Sequence, residues 1–375
     1  MSDDGRLSAP GRLSAPGTLN GSDRAAPLGG AGRASATADL APGNRMVPGE
    51  PLAALAARYG LKPSAARPSV LAYLRQLWQR RHFIVGFATA RNVAMYTEAR
   101  LGQLWQVLTP LLNAAVYFLI FGLLLHINRG LPQGTYVPFL VTGIFVFNFT
   151  QRSFIISSNV IRDSLPLIRA LHFPRASLPL GYVIIELQQL MLAFSVLVVI
   201  VLVTGEPLTL AWLLVIPALM LQTLFNVGGG LLLARWGAGF DDVSQLLPFI
   251  VRTWLYASGV LFSIQTLGLQ ATGVLKNHPT ITYLMQINPA AVYITLIRNA
   301  LMLSQRLSMP GSKPYNGHMC ALYRYFPDAH PYDSAYCHPI VSTPGLWLYA
   351  AGWAVAALVI GFVVFWRAEV QYGRG

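Results

Sequence analysis

Between residues 151 and 180, four arginines (Arg152, Arg162, Arg169 and Arg175) stand against one acid, Asp163, with long apolar runs on both sides. In that setting a basic, helix-forming segment makes a short loop at the cytoplasmic face of a membrane, where positive residues are retained. Such a loop can pass a push from a soluble motor to a membrane bundle. The expected coupling helix covers residues 159 to about 171, with Ile161, Leu165, Ile168 and Leu171 on one side. Pro166 divides or kinks it, because proline lacks the helical donor. Phe173-Pro174-Arg175 ends it, and Leu167, Ile168 and Arg169 are the expected contacts to the motor.

Other reactive side chains are sparse. Adjacent acids Asp241 and Asp242 suit the positive start of the following helix better than a metal site, since further oxygen ligands are missing nearby. Glu186 is the main acid inside a span; proton relays usually need several such groups, and acids near span ends more often sit at the interface. No metal site is expected. Cys320 and Cys337 share a polar insert, where a disulfide is expected if the insert lies outside the cell. The sequence holds no GxxxxGKS or GxxxxGKT phosphate loop, no nucleophile elbow and no HExxH. The chain is therefore expected to have no ATPase site or cofactor of its own.

These residues need a scaffold, and composition indicates its class. Of 375 residues, 54% are hydrophobic and only 11% charged, against about 25% charged in soluble domains. The charge-poor windows mark an integral membrane protein. The net charge of +13 lies largely beside apolar runs, which favours anionic headgroups and excludes nucleic acid as the expected partner.

Taken in order, residues 1–67 repeat GRLSAP and are rich in Ala, Gly, Pro, Ser and Arg. They read as a disordered cytoplasmic tail. Residues 68–375 form the transmembrane domain. Its first part, 68–90, has apolar residues at helical spacing with basic residues on other faces, an amphipathic helix in the headgroup layer or packed on the spans. Expected spans are 104–127, 136–156, 178–203, 210–233, 246–267 and 346–366. Pro279 and Asn288-Pro289 cut 268–303 into pieces too short to cross a core ~30 Å thick, so short re-entrant helices are expected there. Residues 304–345 are the extracytoplasmic insert. The expected fold is thus all-α, with six transmembrane helices, the interfacial helix before them and re-entrant helices before the last. Both termini and the 151–177 loop are cytoplasmic in that arrangement, which gathers most basic residues on one side.

Several of these stretches resemble one family. RNVAMYTEARLGQLWQVLTPLL, from Arg91, resembles the approach to the first span in permease subunits of type-2 ABC polysaccharide exporters, which move O-antigen, capsule, teichoic acid or galactan. Asn159 to Leu167-Ile168, Phe173-Pro174-Arg175 and Leu178-Pro179-Leu180 resemble its cytoplasmic loop. Asp242 with Gln245-Leu246-Leu247-Pro248-Phe249 resembles its approach to the fifth span, and Asn288-Pro289 with Arg298 its gate. The ending WRAEVQYGRG is similar to actinobacterial cell-wall galactan exporters. Departures are Phe240-Asp241 where the family has an arginine before the aspartate, and Ser258-Gly259 in place of Ser-Pro.

The resemblance implies a homodimer in the plasma membrane, a separate ABC ATPase subunit that brings ATP and Mg, and a lipid-diphosphate-linked polysaccharide as substrate. It implies coupling roles for Asn159, Arg162, Leu167, Ile168, Arg169, Phe173, Pro174 and Arg175. Arg91 and Arg100, with Arg81 behind them, are candidates for the diphosphate headgroup, because guanidinium forks suit phosphate; each also fits an ordinary positive-inside anchor. Channel and gate candidates are Tyr117, Phe121, Phe145, Phe149, Tyr256, Asn288, Pro289 and Arg298. Each aromatic also fits plain lipid or interhelical packing. Two other functions stay open at this point, an ABC exporter of drugs or small lipids and a polyprenyl-linked membrane glycosyltransferase using Asp241-Asp242.

Overall fold

Helices α1 (Val70–Gln79) and α2 (Arg81–Ala94) open the structure, a computed structural model that describes residues 69–97, 100–102, 104–117, 119–120, 136–170, 173–264, 279–302, 312–315, 318–321 and 341–369. The Ser69 side chain caps α1 by accepting from Ala72 N–H. The interfacial helix expected as one piece is therefore two, broken at Arg80, whose ψ of 11° leaves the helical range. Tyr73 and Leu77 of α1 and Ile84 and Ala88 of α2 are buried on the bundle, while Leu71 and Trp78 are 80% and 69% exposed. One face thus packs on the protein and the other presents apolar groups outward.

Then come α3 (Leu104–Tyr117), α4 (Tyr136–Asp163), α5 (Leu165–Ala170), α6 (Ser177–Val203) and α7 (Val215–Gly239), the last preceded by a 3-10 turn at Leu210–Leu214. The chain continues through α8 (Asp241–Ala257), α9 (Pro279–Ile287), α10 (Pro289–Leu301) and α11 (Thr343–Ala368). Among the described residues, α4, α6, α11 and the run Leu210–Gly239 are long and apolar enough to cross a membrane. The pair α9–α10, bent by 73° at Asn288, would be a fifth span if counted as one. The expected count of six exceeds this. The stretch expected as the first span appears as α3, 14 residues, and the rest of it lies largely outside the described residues. In place of the expected fifth span, 246–267, the described residues show the 17-residue α8, which is not among the helices long and apolar enough to cross, and Ser258 and Gly259 turn the chain after it.

The expected coupling helix is also redrawn. α4 runs unbroken from the apolar core through Asn159 to Asp163, and only the six-residue α5 is separate. Asn159 and Arg162 therefore ride on the span itself. One departure from all-α is a short antiparallel hairpin, β1 (Ser312–Tyr315) with β2 (His318–Ala321), in the insert. It contains Cys320; Cys337, Phe121 and the 1–67 tail lie outside the described residues.

α6 closes with a Schellman arrangement, in which Gly205 N–H donates to Leu202 O at 3.1 Å and Glu206 N–H to Val201 O at 3.3 Å. The turn needs a left-handed residue, and Gly205 supplies it at φ 88°.

Core residues from α4, α6, α7, α8, α10 and α11 form the main cluster, centred on Phe139, Ile144, Phe145 and Phe147 of α4. A second cluster, at the end of the bundle that carries the basic loop, joins Tyr73, Leu77 and Ile84 to Ile161, Ile168, Leu178, Leu231 and Phe365. Bare backbone governs how α7 meets its neighbours. A Cβ at Gly228 would strike the Ala357 backbone, one at Gly361 the Gly228 carbonyl, and one at Gly237 the Ser158 carbonyl. Small residues allow this approach, which matters in lipid because helix association there relies on close packing.

Overpacking of a tight contact costs about 1–3 kcal/mol. Gly361→Ala and Gly237→Ala should therefore lower the thermal unfolding temperature of the purified chain in detergent. Gly352→Ala, which meets nothing within 4 Å, should leave it unchanged.

Candidate functional site

Three polar assemblies hold the residues singled out in the sequence. The first lies at the basic end. Tyr73 Oη donates to Glu369 Oε2 at 2.8 Å and accepts from Ala176 N–H at 3.1 Å. Arg175 N–H donates to Glu369 Oε1 at 3.1 Å, and the Arg175 guanidinium donates to the Glu369 carbonyl. One tyrosine and one glutamate thus clasp the first helix, the basic loop and the end of the last span. Pro174 is buried and Phe173 half-buried beside Phe83, ring centroids 6.1 Å apart. Ile168 is buried, Leu167 half-buried and Arg169 exposed. Arg162 pairs with Asp241 and donates to Ser244 Oγ at 2.6 Å, tying the end of α4 to the start of α8. Asp241 is thereby engaged by an arginine, in the first turn where the helix dipole favours an acid. Asn159 donates to the Ile155 carbonyl on its own helix.

The second assembly surrounds Arg298, 4% exposed. Its guanidinium donates to three backbone carbonyls: Phe139 at 2.9 and 3.1 Å, Gly259 at 2.7 Å and Val260 at 2.7 Å. It also lies over the Phe139 ring, 3.4 Å from the centroid, a cation–π contact. A Cβ at Gly143 would collide with it. At the other end of α10, Asn288 caps the helix through Ala290 N–H at 3.2 Å, with Pro289 at the first helical position. The same Asn288 oxygen accepts from Trp254 Nε1 at 2.7 Å. The bend between α9 and α10 and the end of α8 are therefore locked together. Tyr256 is 52% exposed on the outer face of α8.

The third assembly was not foreseen. Arg152 Nε lies 3.0 Å from Glu186 Oε2, whose side chain is only 2% exposed. Glu186 was expected at the interface; its partner one span earlier holds it inside instead. The pair borders a cavity of about 360 Å³ between α3, α4 and α6, whose wall includes Phe145 and Phe149. Both phenylalanines are 2% exposed. Beside it, Gln106 and Gln189 donate to Asn92 Oδ1 at 3.1 and 3.3 Å. Asn92 in turn donates to Gln188, which donates to Thr89. Their spacing in the sequence carries no sign of this network, because its members come from three helices.

Among the headgroup candidates, Arg81 is exposed with its guanidinium 4.9 Å from the centroid of the Trp78 ring, and Arg91 and Arg100 are exposed at the end of α2 and in the turn before α3. The structure does not bring the three into one cluster with the cavity. Tyr117 ends α3.

Burial pushes the Glu369 carboxyl above its ordinary 4.5, opposed by the hydrogen bonds from Tyr73 and the Arg175 backbone and by the Arg175 charge. The folded form then holds the proton more tightly than the unfolded form. The stability this supplies is full below the unfolded value and is lost as pH rises through the folded value. In detergent, the wild-type chain should lose stability as pH rises above 4.5, Glu369→Gln should flatten that slope, and Tyr73→Phe should move it to higher pH. A slope unchanged in Glu369→Gln would contradict the assignment.

A family model described as ABC-2 type transporter matches residues 85–302, over half of the chain. The O-antigen export system permease protein RfbA of Klebsiella pneumoniae is 26% identical over 185 residues, covering 49% of this chain and 70% of that protein. RfbA of Myxococcus xanthus is 24% identical over 194 residues, 52% of this chain and 73% of that protein. The polysialic acid transport protein KpsM of Escherichia coli is 24% identical over 224 residues, 56% of this chain and 80% of that protein.

Proposed function

The chain belongs to the ABC-2 type transporter family, and we propose that it is the membrane subunit of an ATP-driven exporter for a polyprenyl-diphosphate-linked cell-envelope polysaccharide. The observation that carries the substrate class is the set of relatives named for O-antigen export and polysialic acid transport, aligned over about half of this chain. In this reading the subunit works as a homodimer in the plasma membrane, with both termini in the cytoplasm. Two copies of a separate ABC ATPase supply ATP and Mg.

The basic end is the receiving surface for the ATPase. α5 touches the motor through half-buried Leu167 and exposed Arg169, while buried Ile168 anchors the helix to the bundle instead of contacting the motor as expected. Its movement reaches the bundle by two routes present in the geometry: Arg162 to Asp241 and α8, and Arg175 to Glu369 and α11. Because packed helices move as rigid bodies, a shift of α5 displaces whole spans rather than bending one. The α9–α10 bend acts as a re-entrant gate on the opposite side. Exposed Arg81, Arg91 and Arg100 guide the diphosphate headgroup at the interface, where guanidinium groups bind phosphate in pairs of hydrogen bonds.

Two measurements test this reading. A strain lacking the chain should lose its surface polysaccharide and accumulate the lipid-linked form inside; intact surface polysaccharide would refute the export assignment. Arg169→Glu should leave the purified chain folded and the partner's ATP hydrolysis near normal, while export falls severalfold. Undiminished export in that variant would remove Arg169 from the coupling surface.

A further inference from the structure

Three acceptor atoms at the α3–α4–α6 cavity have no hydrogen-bond partner among the described residues: Gln106 Oε1, Gln189 Oε1 and Glu186 Oε1. Their residues are 2%, 5% and 3% exposed, and all three line the cavity. Each of the two glutamines gives one amide hydrogen to the same acceptor, Asn92 Oδ1. Each glutamine thus turns one end of its amide to Asn92 and keeps the other toward the cavity, an oxygen in this arrangement and an N–H if the amides of the network are reversed together. A buried acceptor without a donor costs about 1–3 kcal/mol, and inside a membrane bundle such groups mark ligand paths. What fills the cavity must therefore bring a donor for Glu186 and polar groups able to pair with the two amides.

Charge narrows the ligand further. Glu186 is balanced by Arg152 at 3.0 Å. A phosphate entering here would meet a buried carboxylate, and a cation would meet a guanidinium. A neutral group with several hydroxyls has neither conflict. Phe145 and Phe149 add a flat apolar wall, which suits the C–H face of a sugar ring. The volume of about 360 Å³ falls within the ~300–1,000 Å³ typical of small-molecule sites.

We propose that this cavity is a subsite for a neutral sugar unit of the transported glycan. The sugar's hydroxyls donate to Glu186 and hydrogen-bond to the Gln106 and Gln189 amides, and its apolar face lies on Phe145 and Phe149. The Arg152–Glu186 pair excludes charged sugars and keeps the diphosphate headgroup out of this subsite. The assignment rests on the export reading and adds to it where the glycan is held.

The test places a photoreactive benzoylphenylalanine at Asn148, a lining residue outside the proposed contact set, in the full chain co-expressed with its partner. Irradiation of cells making the polysaccharide should give a covalent adduct that carries carbohydrate, read by glycan staining and mass. Adding Glu186→Met or Gln189→Met should cut the adduct about tenfold, the equivalent of one good hydrogen bond lost. Gln106→Met serves if either of those fails to elute as a monodisperse chain. An adduct without sugar, or a yield that these substitutions leave unchanged, overturns the subsite while export that needs the chain leaves the function standing. If cells without the chain keep their surface polysaccharide, the export reading fails and the subsite falls with it.

Discussion

Where α7 crosses α11, the backbones of Gly228 and Gly361 meet with no room for a side chain between them. The same helix receives α4 along its length: Phe154 lies on Gly229, Ser157 on Gly230 and the Ser158 carbonyl on Gly237. Lipid tails are as apolar as leucine, so burying leucine between spans gains little. Close approach and dispersion must do that work instead. α7 is the surface on which both α4 and α11 are registered, and the functional groups follow from that registration. α4 carries Arg152, Arg162 and the phenylalanine wall; α11 carries Glu369 to the basic loop.

Polar groups inside the bundle obey a second constraint, that each donor finds an acceptor without water's help. The protein meets it with backbone oxygen around Arg298, with an ion pair at Glu186 and with a chain of amides around Asn92, while Trp212 Nε1 and Asn226 Nδ2 find no acceptor among the described residues. The first arrangement is closed, with every guanidinium bond directed at a carbonyl of a turn or helix end. The cavity wall is different, since acceptors there remain exposed to whatever enters. A rigid pin and a receptive wall thus coexist in one bundle, one at the end of α10 away from its bend and the other toward the basic end.

Much of the scaffold was legible from apolar runs alone. The expected spans 136–156, 178–203, 210–233 and 346–366 all lie within observed helices, because a membrane span needs only length and apolarity. Their polar ends were underestimated: α4 continues to Asp163 and α7 to Gly239, since contacts to Asp241 and Ser158 support residues that read as loop. Gly228-Gly229-Gly230 is a local cluster visible in the sequence, but Ala357 and Gly361, which meet it across the crossing, need a partner helix to acquire meaning. The Tyr73–Glu369 bond joins residues 296 positions apart, and no local pattern encodes a contact at that distance. The stretch around Asn288-Pro289 was readable because its signal is local: asparagine caps, and proline begins a helix.

Chain order gives the Arg298 cradle a consequence for assembly. Its acceptors, Phe139, Gly259 and Val260, all precede it in the polypeptide. During synthesis from the N-terminus, the carbonyls are already in the bilayer when the guanidinium arrives. A bare arginine at membrane depth is unfavourable by ~2.5–3.5 kcal/mol or more, so α10 is poorly stable in lipid until α4 and the turn after α8 are positioned to receive it. The bent pair thus takes the partners of its buried charge wholly from parts of the chain that come before it.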